Sequence, residues 1–398
     1  MQAAQERAHR KLGLALVVAG CVLAFVAIFA IWANRQALNT DNWTNTSSKL
    51  LEDDEIRAQL STYLVDQLYA NYNVTEEVAG ALPPRAAALA GPIAGGLRDF
   101  AVRVVNELLQ RPKVQQLWEN ANRQAHKQLL AVLKGGGNNV STQNGTVQLH
   151  LDTLLAEAQR TVGVGGRIAK KLPPDAATLT ILRSDQLSTA QDVADTVRPL
   201  AIGLTALALI LFAIAVYLAR GWRREALRAT GFALLLAGVA ALVARSIVGH
   251  AVVESLTTTE STKSAVEDAW SIGTSLLDQA AVAAVAYGLV ILFAAWLSGP
   301  SRMAESTRAA LAPYLRDPMY AWGGTALIVL LLLIWGPTPA TRQAFTALLL
   351  IGLLIFGVEM LRRQTLREFP DASLEAASAR RQERLSGLVG RMRGPDKS

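Results

Sequence analysis

The sequence predicts an α-helical integral membrane protein with six transmembrane helices and an α+β extracytoplasmic domain between helices 1 and 2. Three observations carry that expectation. Runs of apolar residues nearly free of charge recur along the chain, several of them close to the roughly 20 residues a helix needs to cross a hydrocarbon core of roughly 30 Å. The segments between these runs alternate between arginine-rich and arginine-poor. Every Asn lies between Asn34 and Asn144, which marks a polar region set apart from the apolar runs. Of the 398 residues, 51% are hydrophobic and 18% charged, at a mean hydropathy of +0.26. That balance is unusual for a soluble globule.

Residues 1–11 carry Arg7, Arg10 and Lys11 and form the expected cytoplasmic N-terminus; residues 12–33 are the first span. The apolar run is longer than the core of a leader peptide and no small-residue cleavage pattern follows Trp32, so an uncut anchor is expected. Val18-Ala19-Gly20-Cys21 has the form of a bacterial lipobox. A lipoprotein turns polar after its modified cysteine, however, and residues 22–33 stay apolar, which again favours the anchor. Cys21 is the single cysteine of the chain. The region beyond the span is therefore expected to fold on its own core without disulfides, as suits a bacterial envelope protein.

Residues 34–198 form the expected extracytoplasmic domain. From 48 to 72, Leu51, Ile56, Leu60, Tyr63, Leu64 and Leu68 recur at three- and four-residue steps, the spacing of a helix. Asp53, Asp54 and Glu55 near its start suit the helix dipole. Further helices are expected at 85–110 and 113–134, broken at Arg111-Pro112 and ended by Gly135-Gly136-Gly137. The period then changes to two, with strands at 139–143 and 146–151 around an Asn144-Gly145 turn. A third strand at 177–183 follows a short helix at 152–162. From Ser184 the pattern is helical again and runs into the second span.

Trp43, Leu50, Leu51, Ile56, Leu60, Tyr63, Leu64, Asp66, Gln67 and Leu68, together with Leu182-Arg183-Ser184-Asp185-Gln186-Leu187 before a span, form a pattern that resembles uncharacterised multi-pass membrane proteins of actinobacteria. The resemblance covers most of the chain and implies a source and a topology. It implies no activity, cofactor or catalytic residue. The layout of one span, a polar domain and five spans is also similar to some exporter permeases that pair with a cytoplasmic ATPase, an analogy of fold alone.

The remaining spans are expected at 199–219, 230–248, 280–297, 321–335 and 345–361. They lack the alternation of a barrel strand and are read as helices. Arg220, Arg223, Arg224 and Arg228 lie between the second and third, and Arg302, Arg308 and Arg316 between the fourth and fifth. By contrast, 249–277 carries only Lys263 against Glu254, Glu260, Glu267 and Asp268. The positive-inside rule then puts both termini in the cytoplasm of a cell-membrane protein, with 34–198 outside. Trp32, Trp222, Trp296, Trp322 and Trp335 fall at span ends, where aromatic rings prefer the headgroup level, and Trp335-Gly336-Pro337 reads as a turn joining the last two spans. In the outer loop, Ser264 and Glu267 have capping-box spacing ahead of an amphipathic stretch through Trp270 and Leu277. In the basic cytoplasmic tail, 362–398, Arg380, Arg381, Arg384, Arg391 and Arg393 interleave with Leu385, Leu388, Val389 and Met392. That pattern fits an interfacial helix on an anionic leaflet as well as it fits a solvated tail. The pI near 9.7 thus records orientation, and no nucleic-acid partner is expected.

No constellation for catalysis, cofactor binding or metal ligation stands out. His9, His126, His150 and His250 are scattered, with no His-x-x-x-His pair. Gly163-Val164-Gly165-Gly166 lacks the Lys-Ser/Thr ending of a phosphate loop, and there is no Gly-x-Ser-x-Gly elbow. The acidic run 52–55 has no ligand spacing and reads as a helix start. Charges within the spans lie near their ends, which argues against a self-sufficient ion-coupled transporter. Arg245 and Asp278 both fall near the outer boundary, where they can form a structural ion pair, and Glu359 lies near Arg362 and Arg363 at the inner boundary. The expectation is a non-enzymatic, cofactor-free envelope membrane protein in contact with the lipid bilayer. Its polar domain would bind an envelope protein or lipid partner in transport, assembly or scaffolding. The alternative is a permease-like exporter subunit served by a separate ATPase.

Overall fold

Helices dominate the computed structural model, which describes residues 2–133, 140–141, 146–150, 178–257, 260–335 and 344–370. In chain order they are α1 (Gln2–Ala37), α2 (Thr40–Glu52), α3 (Asp54–Asn71), α4 (Val74–Ala81), a 3-10 turn at Pro84–Leu89, α5 (Ala90–Gln110) and α6 (Pro112–Leu133). After three strands come α7 (Ser184–Leu218), α8 (Arg223–Leu256), α9 (Glu260–Gly273), α10 (Ser275–Leu297), α11 (Arg302–Arg316), α12 (Pro318–Trp335) and α13 (Ala344–Glu368).

The expected fold class is corrected in two respects. Four helices, not six, are long and apolar enough to cross a membrane among the described residues: His9–Ala37, Pro199–Leu218, Arg223–Leu256 and Ser275–Leu297. The fifth expected span, 321–335, overlaps α12, of which Pro318–Leu331 is a shorter apolar stretch among the described residues. The second correction concerns the α+β domain. The region is helical in architecture, and its described core consists of helix side chains such as Leu51, Val65, Ala90, Ala94 and Val132. The strands β1 (Val140–Ser141), β2 (Thr146–His150) and β3 (Thr178–Arg183) are 2, 5 and 6 residues long. They pair antiparallel in the order β1-β2-β3, with a register shift at Val147/Gln148, as a small patch and not a layer of the fold. The helix expected at 152–162, the turn at 336–337 and the tail helix lie outside the described residues.

The chain divides into two units, one within Met1–Phe25, Ala206–Ala240 and Gln279–Ser398, the other within Val26–Thr205 and Ala241–Asp278. The first has a core of small residues and one aromatic ring: Val17, Ala24, Ala208, Phe212, Ala215, Ala233 and Ala237. Small side chains suit a membrane bundle, where close backbone approach replaces the hydrophobic drive between helices. The closest approach is between α8 and α10. A Cβ added at Gly238 would lie 2.6 Å from the Ala281 carbonyl, and one at Gly288 would lie 2.6 Å from the Leu235 nitrogen. At the end of α10, the buried Arg308 of α11 donates to the carbonyls of Leu297 and Gly299 at 2.6 and 2.7 Å and to Glu368 of α13 at 2.7 Å. It thereby satisfies acceptors that the helix end leaves open.

In the second unit α2 packs on α6, α3 and α4 on α5, and α9 on α2 and α3. The single helix expected over 48–72 is two helices. Asp53 leaves the helical conformation and its carboxylate accepts from the backbone of Glu55 and Ile56, an N-cap in place of a mid-helix charge. The break at Arg111-Pro112 falls where expected, with Arg111 extended and α6 beginning at Pro112. Helix α9, in the loop expected on the outer side, starts at Glu260, upstream of the expected cap. Ser264 instead donates to the Glu55 carboxylate at 3.3 Å.

Candidate partner-binding surface

The buried face of α3 is Arg57, Ser61 and Val65, one residue per turn. Arg57 is 4% exposed, yet its guanidinium is fully occupied. It donates to the Leu51 and Glu52 carbonyls at 3.1 and 3.0 Å, to the Asn106 side-chain oxygen at 3.1 Å, and to Asp54. A charge so placed is tolerable because the last turn of α2, the start of α3 and the C-terminal part of α5 all supply acceptors. The hydroxyl of Ser61 donates to the Arg57 carbonyl at 2.7 Å.

Where α1 ends, His126 of α6 is 2% exposed, with Nε2 3.1 Å from the Ala37 carbonyl and Nδ1 3.2 Å from the Thr40 hydroxyl. Its ring stacks on Trp43 at 5.0 Å. Burial lowers its pKa from the ordinary value of 6.5, against the opposing bond to Ala37. Nearby, the Trp118 indole donates to the Ser47 carbonyl at 3.0 Å, beside a small polar cavity of about 210 Å³ lined in part by Ser48, Glu52, Gln115 and Glu119. Asp268 of α9 is pushed above its ordinary value, first by desolvation and then by the charges of Asp53, Glu55 and Glu267. Among the described residues no group of three His, Cys, Asp or Glu side chains is arranged to hold a metal ion.

With Arg57, Ser61 and Val65 turned inward, the later part of the apolar repeat faces out, whereas Leu51 is buried and Ile56 and Leu60 are half-buried. Tyr63, Leu64, Leu68 and Tyr72 of α3 are exposed, as are Ile93, Leu97 and Phe100 of α5 and Leu89 just before it. Phe100 is 57% exposed. Leu64 and Leu68 lie one turn apart, and Ile93, Leu97 and Phe100 follow at steps of four and three, so each helix shows one stripe. Arg98 of α5 bonds Asp66 of α3 at 2.7 Å and fixes the two helices against each other. Neither helix is among those apolar enough to cross a membrane. The surface is therefore an apolar face on a polar scaffold, the kind of patch that marks an interaction site.

The expected pair Arg245 and Asp278 is brought together at 3.7 Å, but the tighter partner of Arg245 is the Thr274 hydroxyl, 2.7 Å from Nε. Glu359 pairs with Arg363 at 2.8 Å and Arg362 at 3.4 Å. His126 is engaged by Trp43, Thr40 and Ala37 as above, and only the backbone of His150 is described. Arg380, Arg381, Arg384, Arg391 and Arg393 lie outside the described residues. The sequence reading missed the two buried arginines, Arg57 and Arg308. For Arg57 a signal was present in the four-residue spacing of Arg57, Ser61 and Val65.

No family model matches the chain, and neither a curated protein nor a solved structure is detectably similar to it.

Proposed function

We propose that this membrane-embedded chain is a non-enzymatic component of the bacterial cell envelope that docks a partner through the α3/α5 face, in transport, assembly or scaffolding. The observation that carries the reading is the exposed stripe Ile93, Leu97 and Phe100 beside Leu64 and Leu68. An apolar face of this size left in water costs solubility, and a partner's apolar surface removes that cost. The distribution of Lys and Arg supports a location of this face outside the cytoplasm. The resemblance to actinobacterial membrane proteins fits the same setting. The test is to purify the full chain and a Leu97→Glu/Phe100→Glu variant in mild detergent and compare what co-purifies. A component retained by the native chain and lost from the equally well-folded variant is expected. An identical set from both contradicts docking at this face.

A second reading, a permease-like subunit served by a separate ATPase, draws on α11 and the start of α12. Exposed Met303, Tyr314, Met319 and Tyr320 lie there among arginines. It predicts a nucleotide-binding subunit in the co-purifying set, lost on Tyr314→Glu and retained by the α5 variant.

A further inference from the structure

The side chains of α1, α8 and α10 enclose an open apolar groove of about 860 Å³ within the first unit. Val18 and Val22 of α1, Phe232 and Leu236 of α8 and Trp296 of α10 form its walls, and Arg228 is its one charged lining residue. Arg228, Phe232 and Leu236 follow at four-residue steps, so they share one face of α8 and extend along it for about 12 Å. One leaflet of a bilayer has a hydrocarbon depth of roughly 15 Å, half the core. The groove thus has the length of an acyl chain, with a cation at one end.

That end is the interfacial one. The Arg224 side chain donates to the Ala295 carbonyl at 3.0 Å, which sets the first turns of α8 beside the last turns of α10 and Trp296. Of the neighbouring cations, Arg10 pairs with Glu225 at 2.9 Å and Arg224 donates to the Ala295 carbonyl. Arg228 is exposed and, among the described residues, has no hydrogen-bond or ion-pair partner. A guanidinium at headgroup depth is matched by a phosphate, to which it donates two parallel bonds. We propose that the groove is a binding site for one anionic phospholipid of the leaflet at the arginine-rich end, with an acyl chain between Val22 and Leu236 and its phosphate on Arg228. The proposal is independent of partner docking on α3 and α5.

The full chain, purified in mild detergent, is examined by native mass spectrometry after addition of phosphatidylglycerol or of phosphatidylcholine with the same chains. One phosphatidylglycerol is expected to be retained roughly tenfold better than phosphatidylcholine, whose choline cation offsets the charge that its phosphate presents to Arg228. Arg228→Gln should remove that preference, whereas Arg223→Gln, which does not line the groove, should keep it. Ala229→Trp, which fills the groove, should lower retention of both lipids. If that variant does not fold, the two arginine variants decide alone. Equal retention of the two lipids by the native chain, or a preference untouched by Arg228→Gln, overturns the proposal. So does retention of palmitate with no retention of phosphatidylglycerol, which would make the site one for free fatty acid.

Discussion

The two units solve the same problem with the same residue and then part company at their surfaces. In each, a buried arginine gathers the open carbonyls of a helix end and a side chain from a third helix: Arg308 with Leu297, Gly299 and Glu368, and Arg57 with Leu51, Glu52 and Asn106. In both, a charge is buried only where acceptors outnumber what water would lose. The surfaces differ. Val18, Phe232 and Leu236 of the first unit are exposed on helices apolar enough to span a membrane, so the bilayer is their solvent. Leu64, Leu68, Leu97 and Phe100 of the second are exposed on helices that also carry Asp66, Arg98 and Asp99, so theirs is water or a partner. An exposed leucine is thus ordinary on one unit and informative on the other.

The comparison can be broken most forcefully at the arginines. Arg57→Met and Arg308→Met each orphan two backbone carbonyls and are expected to cost about 3 kcal/mol. Hydrogen exchange should show faster exchange confined to α2, α3 and α5 for the first and to the end of α10, α11 and α13 for the second. A uniform response in both variants would deny that the units are held separately. Next in size, Gly238→Leu forces a side chain into the Ala281 carbonyl. It should cost about 2 kcal/mol by overpacking, read as a lower unfolding temperature in detergent.

Acid should separate the units by pH. His126 prefers its neutral form in the fold, so the unfolded chain binds that proton more readily. The stabilisation is complete above 6.5 and is lost as pH falls below it. Burial raises the Glu368 carboxyl, but hydrogen bonds from Gln364 and Arg308 and the Arg308 charge outweigh it and hold the group below its ordinary 4.5. Its stabilisation is present above 4.5 and is lost only as pH falls below that value. Asp268 works in the opposite sense, since its raised pKa makes the carboxylate a growing burden as pH rises through 3.8. Exchange around α2 and α6 should therefore quicken between pH 7 and pH 5.5 while α11 and α13 hold, and His126→Gln should remove the difference. The smallest effect is expected at Arg245→Gln. Thr274 keeps a hydrogen-bond partner and the 3.7 Å pair with Asp278 is partly exposed, so the loss should be under about 1 kcal/mol.

Much of the helical layout was legible in the sequence because apolar run length and proline position act locally. The break before Pro112 and the strands around Asn144-Gly145 follow from such local rules. The number of spans was not legible to the same degree: six apolar runs stand in the sequence, and four helices are long and apolar enough to cross a membrane among the described residues. The inward face of α3 was not legible from apolar spacing. Apolar periodicity marks the buried face only when charges stay in water, and Arg57 is buried because the carbonyls of Leu51 and Glu52 at the end of α2 and the Asn106 side chain of α5 accept from it. The acidic run 52–55 reads as a helix start in the sequence, and Asp53 is the N-cap of α3, but the end of a separate helix at Glu52 was not legible. The groove and its free Arg228 required three helices to be placed together, which no single run records.

The contrast between the two apolar surfaces is tested most directly by nitroxide labels at positions 232 and 100 in the full chain reconstituted in lipid. Oxygen, which dissolves in hydrocarbon, should relax the label at 232 while a polar nickel complex does not. The label at 100 should respond to the nickel complex in the purified protein. A label at 100 reached by oxygen and shielded from nickel would place the α5 face in lipid, and the surface assigned to a partner would be a second membrane contact.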